Sequence, residues 1–207
     1  SARDAYWLRQ LVGDADVAVE DVTAGTACVA VWGPAARDIM APLVAGDLSD
    51  TAFPYYTAGT IEVAGVSALA VRVSYVGELG WELTVAPDVA PRLWRELAAG
   101  AARVGGVLAG RGALQSMRLE KGYRAWGSDM TRADTPHEAG LAFAVRDGQH
   151  LGVAAAAATG MRRRLRTLRL DRQDVVPVAG NPVEVDGSVA GNVTSADYGW
   201  SVGHPVA

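Results

Sequence analysis

The stretch Arg111-Gly112-Ala113-Leu114-Gln115-Ser116-Met117-Arg118-Leu119-Glu120-Lys121-Gly122-Tyr123-Arg124-Ala125-Trp126-Gly127-Ser128-Asp129 decides how this chain is read. It predicts a helix over residues 112–122 carrying Leu114, Met117 and Leu119, stopped by Gly122 and followed by a loop rich in aromatic and charged side chains. Arg111 and Arg118 stand seven apart and so fall on about the same helix face. Two readings stay open: a loop that faces a ligand, or a helix whose surface charges pair, Glu120 with Arg124 at i,i+4 among them.

Upstream lies Ser74-Tyr75-Val76-Gly77-Glu78-Leu79-Gly80-Trp81-Glu82-Leu83. Gly77 and Gly80 flank Glu78, with an aromatic residue on either side. Glycine lets a backbone turn tightly and come close to a ligand. A carboxylate held there can accept two parallel hydrogen bonds from a planar N–H pair. The competing reading is a surface loop with a solvated Glu78.

Outward from these stretches, residues 4–11 have helical spacing and close at Gly13. Residues 17–22 alternate as a strand would, and 28–32 form an apolar run that fits a buried central strand, with Cys28 as a packed thiol. Gly33-Pro34 breaks that strand and opens a helix through Arg37, Ile39, Met40 and Leu43. Residues 57–63 and 66–73 read as strands joined at Ala64-Gly65, and 81–85 as another after the 74–80 loop. Pro87-Asp88 leads into an amphipathic helix with Val89, Leu93, Trp94 and Leu97 on one face. Small alternating units of this kind predict an α+β fold, or α/β with mixed sheets.

The composition shifts near residue 150. Residues 154–158 are an alanine run that favours helix. Arg162, Arg163, Arg164, Arg166, Arg169 and Arg172 then partly alternate with Leu165, Leu168 and Leu170, which predicts a strand with the arginines on its wet face. Gly180-Asn181-Pro182 and Asp186-Gly187 are turn signals between short strands, the start of a second, all-β domain.

The 207 residues are 50% hydrophobic and 20% charged with a net charge of −4, which excludes a disordered tail and argues against a strongly basic nucleic-acid binder. One cysteine excludes an internal disulfide. No apolar run approaches the roughly 20 residues that span a bilayer, and no signal segment opens the chain. The expectation is therefore a soluble, cytoplasmic protein without nucleic-acid or membrane partners. His137, His150 and His204 lack metal-ligand spacing, so no metal is expected, and there is no nucleophile elbow or P-loop. Ala109-Gly110-Arg111-Gly112 lacks the third glycine of a dinucleotide turn. The opening Ser1-Ala2-Arg3 and the ending His204-Pro205-Val206-Ala207 predict a piece of a longer polypeptide.

The form Arg118-Leu119-Glu120-Lys121-Gly122-Tyr123-Arg124-Ala125-Trp126-Gly127-Ser128-Asp129 resembles the aminomethyltransferase (glycine-cleavage T-protein) family of tetrahydrofolate-binding proteins. It is most similar to the branch in which this folate domain is fused to FAD-dependent dimethylglycine and sarcosine oxidases and dehydrogenases. The stand-alone T-protein usually has alanine and leucine where Lys121 and Tyr123 stand. The resemblance continues through residues 134–141, at 191–195 and 198–203, and upstream at Val31-Trp32-Gly33-Pro34.

This resemblance implies mixed sheets with helices, arranged as T-protein-like lobes around a central folate pocket, then the start of a C-terminal β-barrel. The implied boundaries are residues 1–150 for the folate domain (its N-terminal part missing), 151–164 for a helix and linker, and 165–207 for a partial barrel. It also implies tetrahydrofolate as cofactor, with FAD only in a separate N-terminal domain of the same chain. An N-methyl amino acid would be the substrate, its one-carbon unit captured as 5,10-methylenetetrahydrofolate.

Residue by residue, Glu78 matches the glutamate that binds the pterin, and Arg111 an arginine near the folate's anionic tail or the substrate carboxylate. Tyr123 and Tyr75 are candidate aromatic walls, while Trp81 and Trp126 are expected as core or lining. The family's catalytic aspartate falls before Ser1, so no catalytic residue is assigned and this piece alone is expected to be inactive. Gly152-Val153-Ala154-Ala155 replaces the family's Gly-Arg/Lys-Glu helix start.

Three alternatives stand beside this reading. One is a stand-alone aminomethyltransferase acting with a lipoyl carrier protein. Another is a non-catalytic folate-binding relative, against which Lys121-Gly122-Tyr123 argues because it lacks the cysteine of a Lys-Gly-Cys-Tyr loop. The third is an inactive remnant.

Overall fold

Ala64 and Gly65 take left-handed backbone (φ 52° and 71°) and close the hairpin between β2 (Ala58–Val63) and β3 (Val66–Val71). The register pairs Val63 with Val66 and Ala58 with Val71, a two-residue connection whose twist suits an antiparallel pair. This computed structural model describes residues 2–146, 148 and 151–207. Two further strands, β1 (Ala27–Trp32) and β4 (Gly80–Val85), complete a four-stranded antiparallel sheet in the order β1-β4-β3-β2.

One face of this sheet is buried and the other open, as period-2 burial along β3 shows: Val66, Ala68 and Ala70 are buried while Ser67 and Leu69 are exposed. The helices α2 (Ala36–Met40) and α3 (Ala90–Arg103) supply Ile39, Met40, Leu93, Leu97 and Ala101 to a core shared with Trp81, Leu83 and Phe53. Helix α1 (Ala2–Val12) precedes them and buries none of its residues. Residues 2–74 and 78–108 make up this compact unit.

The second unit joins residues 75–77 to residues 109–207. It holds α4 (Arg111–Glu120), α5 (Val153–Ala158), the hairpin β5 (Pro182–Val185) with β6 (Ser188–Asn192), and the hairpin β7 (Asp197–Gly199) with β8 (His204–Val206). Asp186 and Gly187 (φ 51° and 77°) close the β5–β6 hairpin. The chain around Leu168–Leu170 runs beside β8, with Leu168 and Ala207 exchanging backbone hydrogen bonds of 2.7 and 3.0 Å. Among the described residues these strands do not close into a barrel.

Several sequence expectations are corrected. Residues 17–22 are not a strand; they lie almost wholly exposed, and no sheet edge pairs with them among the described residues. The 28–32 run is an edge strand, not a central one; its burial alternates because one face of the sheet is open, and Cys28 lies on that open face instead of in the core. Trp94 is 44% exposed, because its place one residue after buried Leu93 turns it about 100° off the core face. The arginine-rich segment forms no named strand, only a single bridge from Arg169 to Val206, although its arginines do face water. Residues 153–158 are helical as the alanine run predicts.

Candidate functional site

Glu78 sits in the turn between β3 and β4. Its backbone N–H donates to Ser74 Oγ (3.3 Å), and the turn's exit is held where the Gly33 N–H donates to the Leu79 carbonyl (2.8 Å). The side chain is half-buried. Among the described residues of its unit, nothing donates a hydrogen bond to its carboxylate. It is not a fully exposed surface group.

The other three candidates lie in the second unit. The rings of Tyr75 and Tyr123 stack with centroids 6.0 Å apart and planes 30° from parallel, so the structure brings these two together. The Tyr75 hydroxyl donates to the Arg124 carbonyl (2.6 Å), and burial raises its pKa, which keeps it a hydrogen-bond donor. Gly77 enters this packing through a left-handed φ of 73°; a Cβ there would lie 2.6 Å from the aliphatic stem of Lys121. Arg111 is exposed at the first position of α4, where its guanidinium reaches into solvent.

Beneath the Tyr123 loop is a buried polar network that the sequence reading did not single out. The guanidinium of Arg118, with 1% of its side chain exposed, binds Asp129, the Tyr123 carbonyl (2.8 Å), Gln115 Oε1 (3.1 Å) and Ser195 Oγ (2.9 Å). Asp129 in turn accepts from the Ala125 N–H (2.8 Å) and Thr194 Oγ1 (2.8 Å). Burial pushes the Asp129 pKa up, but hydrogen bonds from Ser195, Ala125 and Thr194 and the charge of Arg118 overcome it and leave the group below its usual value. The small cleft beside this network offers about 20 Å³, room for roughly one water and far below the roughly 300–1,000 Å³ of a small-molecule site. The network ties the loop at Tyr123, Ala125 and Asp129.

Two more expectations change here. Glu120 does not pair with Arg124; its Oε1 accepts from the Ser201 N–H (2.8 Å), while Arg124 donates to the Ala139 (2.9 Å) and Gly122 (2.6 Å) carbonyls. Trp81 is fully buried as expected, with Phe53 edge-on at 6.4 Å, whereas Trp126 is 67% exposed on its loop and is not a core residue. Met117 likewise faces outward, since α4 buries Ser116, Arg118 and Leu119 instead.

Farther along, Glu138 is buried and takes hydrogen bonds from Arg162 and the Thr135 N–H, which hold its carboxyl well below the ordinary carboxylate range. No group of three or more potential metal ligands occurs among the described residues, and His150 lies outside them.

The sheet backed by helices and the short hairpins that follow define an α+β chain. Residues 1–148 match the family model described as GCVT N-terminal domain, and residues 163–207 match the glycine cleavage T-protein C-terminal barrel domain. The chain belongs to the glycine cleavage T-protein family, and its last strands are the start of that barrel domain.

It is 40% identical over 186 residues to mitochondrial sarcosine dehydrogenase of Mus musculus, which covers 86% of this chain and 20% of that protein. It is 33% identical over 207 residues to mitochondrial dimethylglycine dehydrogenase of Homo sapiens, covering 96% and 24%. An aminomethyltransferase of Rubrobacter xylanophilus is 36% identical over 210 residues, covering 99% and 55%. The chain thus spans between about a fifth and about half the length of these relatives. Among solved structures, the glycine cleavage system aminomethyltransferase T of Bartonella henselae aligns with a TM-score of 0.58 at 28% identity, over 67% of this chain and 40% of that one. Among the described residues no helix is long and apolar enough to cross a membrane.

Proposed function

We propose that this chain is the tetrahydrofolate-binding part of a larger FAD-dependent dehydrogenase or oxidase of N-methyl amino acids such as sarcosine or dimethylglycine. In that role it captures the one-carbon unit as 5,10-methylenetetrahydrofolate. The family match over residues 1–148 carries the reading, and the dehydrogenase relatives support this branch. The flavin belongs to a separate domain in this reading, residues 1–150 are the folate-binding part, and the setting is cytoplasmic.

The available carboxylate of Glu78 fits a reduced pterin, because the 2-amino and N3–H groups of that ring form a planar donor pair for one carboxylate. When bound, tetrahydrofolate supplies the nucleophilic nitrogen that takes up the one-carbon unit. Glu78 fixes the orientation of the ring, and orientation is where a protein contributes most to such a transfer. Arg111 offers a cation to a carboxylate of the folate tail or of the amino acid. Tyr75 and Tyr123, whose rings stack on each other within their own unit, are the aromatic candidates that the family resemblance implies.

Calorimetric titration of 5-formyltetrahydrofolate into wild type and Glu78→Ala tests the reading. A loss of tenfold or more is expected; equal affinity overturns the role of Glu78. The Rubrobacter xylanophilus relative favours a second reading, a stand-alone aminomethyltransferase. A full-length polypeptide that carries a bound flavin excludes this second reading.

A further inference from the structure

We propose that Trp32 is a positioning residue for the Glu78 carboxylate, an inference that rests on the folate reading above. The indole N–H of Trp32 donates to the Val73 carbonyl (3.1 Å), and the next residue, Gly33, donates its backbone N–H to the Leu79 carbonyl (2.8 Å). Two consecutive residues at the end of β1 thus hold the entry and the exit of the turn that carries Glu78. Trp32 pairs with Gly80 across the sheet, and a Cβ on Gly80 would lie 2.2 Å from the Val31 carbonyl oxygen and 2.5 Å from Trp32 Cδ1. The edge of the indole therefore rests against bare backbone one residue past the turn, a fit that only glycine permits.

The residue before Val73 is itself immobilised. Arg72 donates to the Phe53 carbonyl and to Asp50 Oδ1 (2.6 Å), and Arg37 grips the same oxygen (2.6 Å). With this base fixed, the indole N–H is a side-chain tether on the first leg of the turn. It comes from a position 41 residues away in sequence, so nothing local replaces it. A carboxylate that accepts two parallel N–H bonds tolerates little angular error, on the order of 10–20°. Releasing one leg is expected to weaken its grip without removing it.

The test is a double-mutant cycle on the full chain, read as calorimetric affinity for 5-formyltetrahydrofolate. Trp32→Phe keeps a packed ring and deletes the donor. It is expected to weaken binding about 5- to 10-fold, the value of one hydrogen bond. In a Glu78→Ala background the same change is expected to alter affinity less than about twofold, because a residue acting through Glu78 has nothing left to position.

Equal losses in the two backgrounds overturn the proposal, as does wild-type affinity in Trp32→Phe. If Trp32→Phe folds poorly, benzothienylalanine at position 32 replaces the N–H by sulfur in an otherwise equivalent ring, and the same cycle applies. Wild-type affinity in Glu78→Ala defeats the role of Glu78 and this inference together, whereas no binding of 5-formyltetrahydrofolate by the wild-type chain defeats the folate reading itself. Weakened Glu78→Ala with unaffected Trp32→Phe defeats only the inference.

Discussion

Arg118 shows how far a single side chain can depart from its usual place. Charged residues are almost never fully buried unless paired, yet this guanidinium is sealed by Asp129, Gln115, Ser195 and the Tyr123 carbonyl. Gln115, Tyr123 and Asp129 lie within 11 residues of it, but Ser195 is 77 residues away, and nothing in the local spacing marked Arg118 as the buried hub. The pair fixes both ends of the 123–129 loop, since Asp129 also accepts the Ala125 N–H. Removing one member of a buried pair strands the other. Asp129→Ala is therefore expected to cost about 3–5 kcal/mol in urea unfolding. A loss under about 1 kcal/mol would mean that the loop does not depend on it. Glu78 is the opposite case: its glycine-flanked turn was legible in the sequence, whereas its half-burial and the tethering of its turn were not.

At the scale of elements, helix α3 separates pattern from packing. Val89, Leu93, Trp94 and Leu97 look equivalent in an apolar stripe, but the helix turns its core face along Leu93, Leu97, Gly100 and Ala101. Leu93→Ala is expected to lose about 2–5 kcal/mol, and Trp94→Ala about 0.5 kcal/mol or less. Chemical denaturation of both variants checks the ranking, and equal losses would refute the assignment of the core face. The hairpin at Ala64-Gly65 and the start of α3 followed from local turn and helix signals. Whether residues 28–32 lay at the centre or edge of the sheet did not, because that depends on which strands pair, and pairing is set by distant residues.

Across the whole molecule, the second unit stands out for buried, ion-paired carboxylates beside its buried apolar side chains. Arg162 and the Thr135 N–H hold the Glu138 pKa down, and the Asp129 pKa is also lowered, its hydrogen bonds and Arg118 outweighing burial. A lowered folded-state pKa stabilises above the unfolded value, near 4, and that contribution fades as pH falls below it toward the folded value. The urea midpoint is therefore expected to stay level from about pH 7 to 5 and to drop below about pH 4, and Glu138→Gln should flatten part of that drop. A midpoint that rises on acidification would contradict the assignment.

By itself, the sequence determined the α+β class, most helices and hairpins, the family and the glycine-framed position of Glu78, because each depends on residues close together along the chain. Tertiary structure alone decided which apolar stripes became core, which strand lay at an edge, and how Arg118, Asp129, Glu138 and Trp32 found partners. The reason is physical: burial and hydrogen-bond satisfaction are properties of neighbours in space, and here those neighbours are often dozens of residues apart.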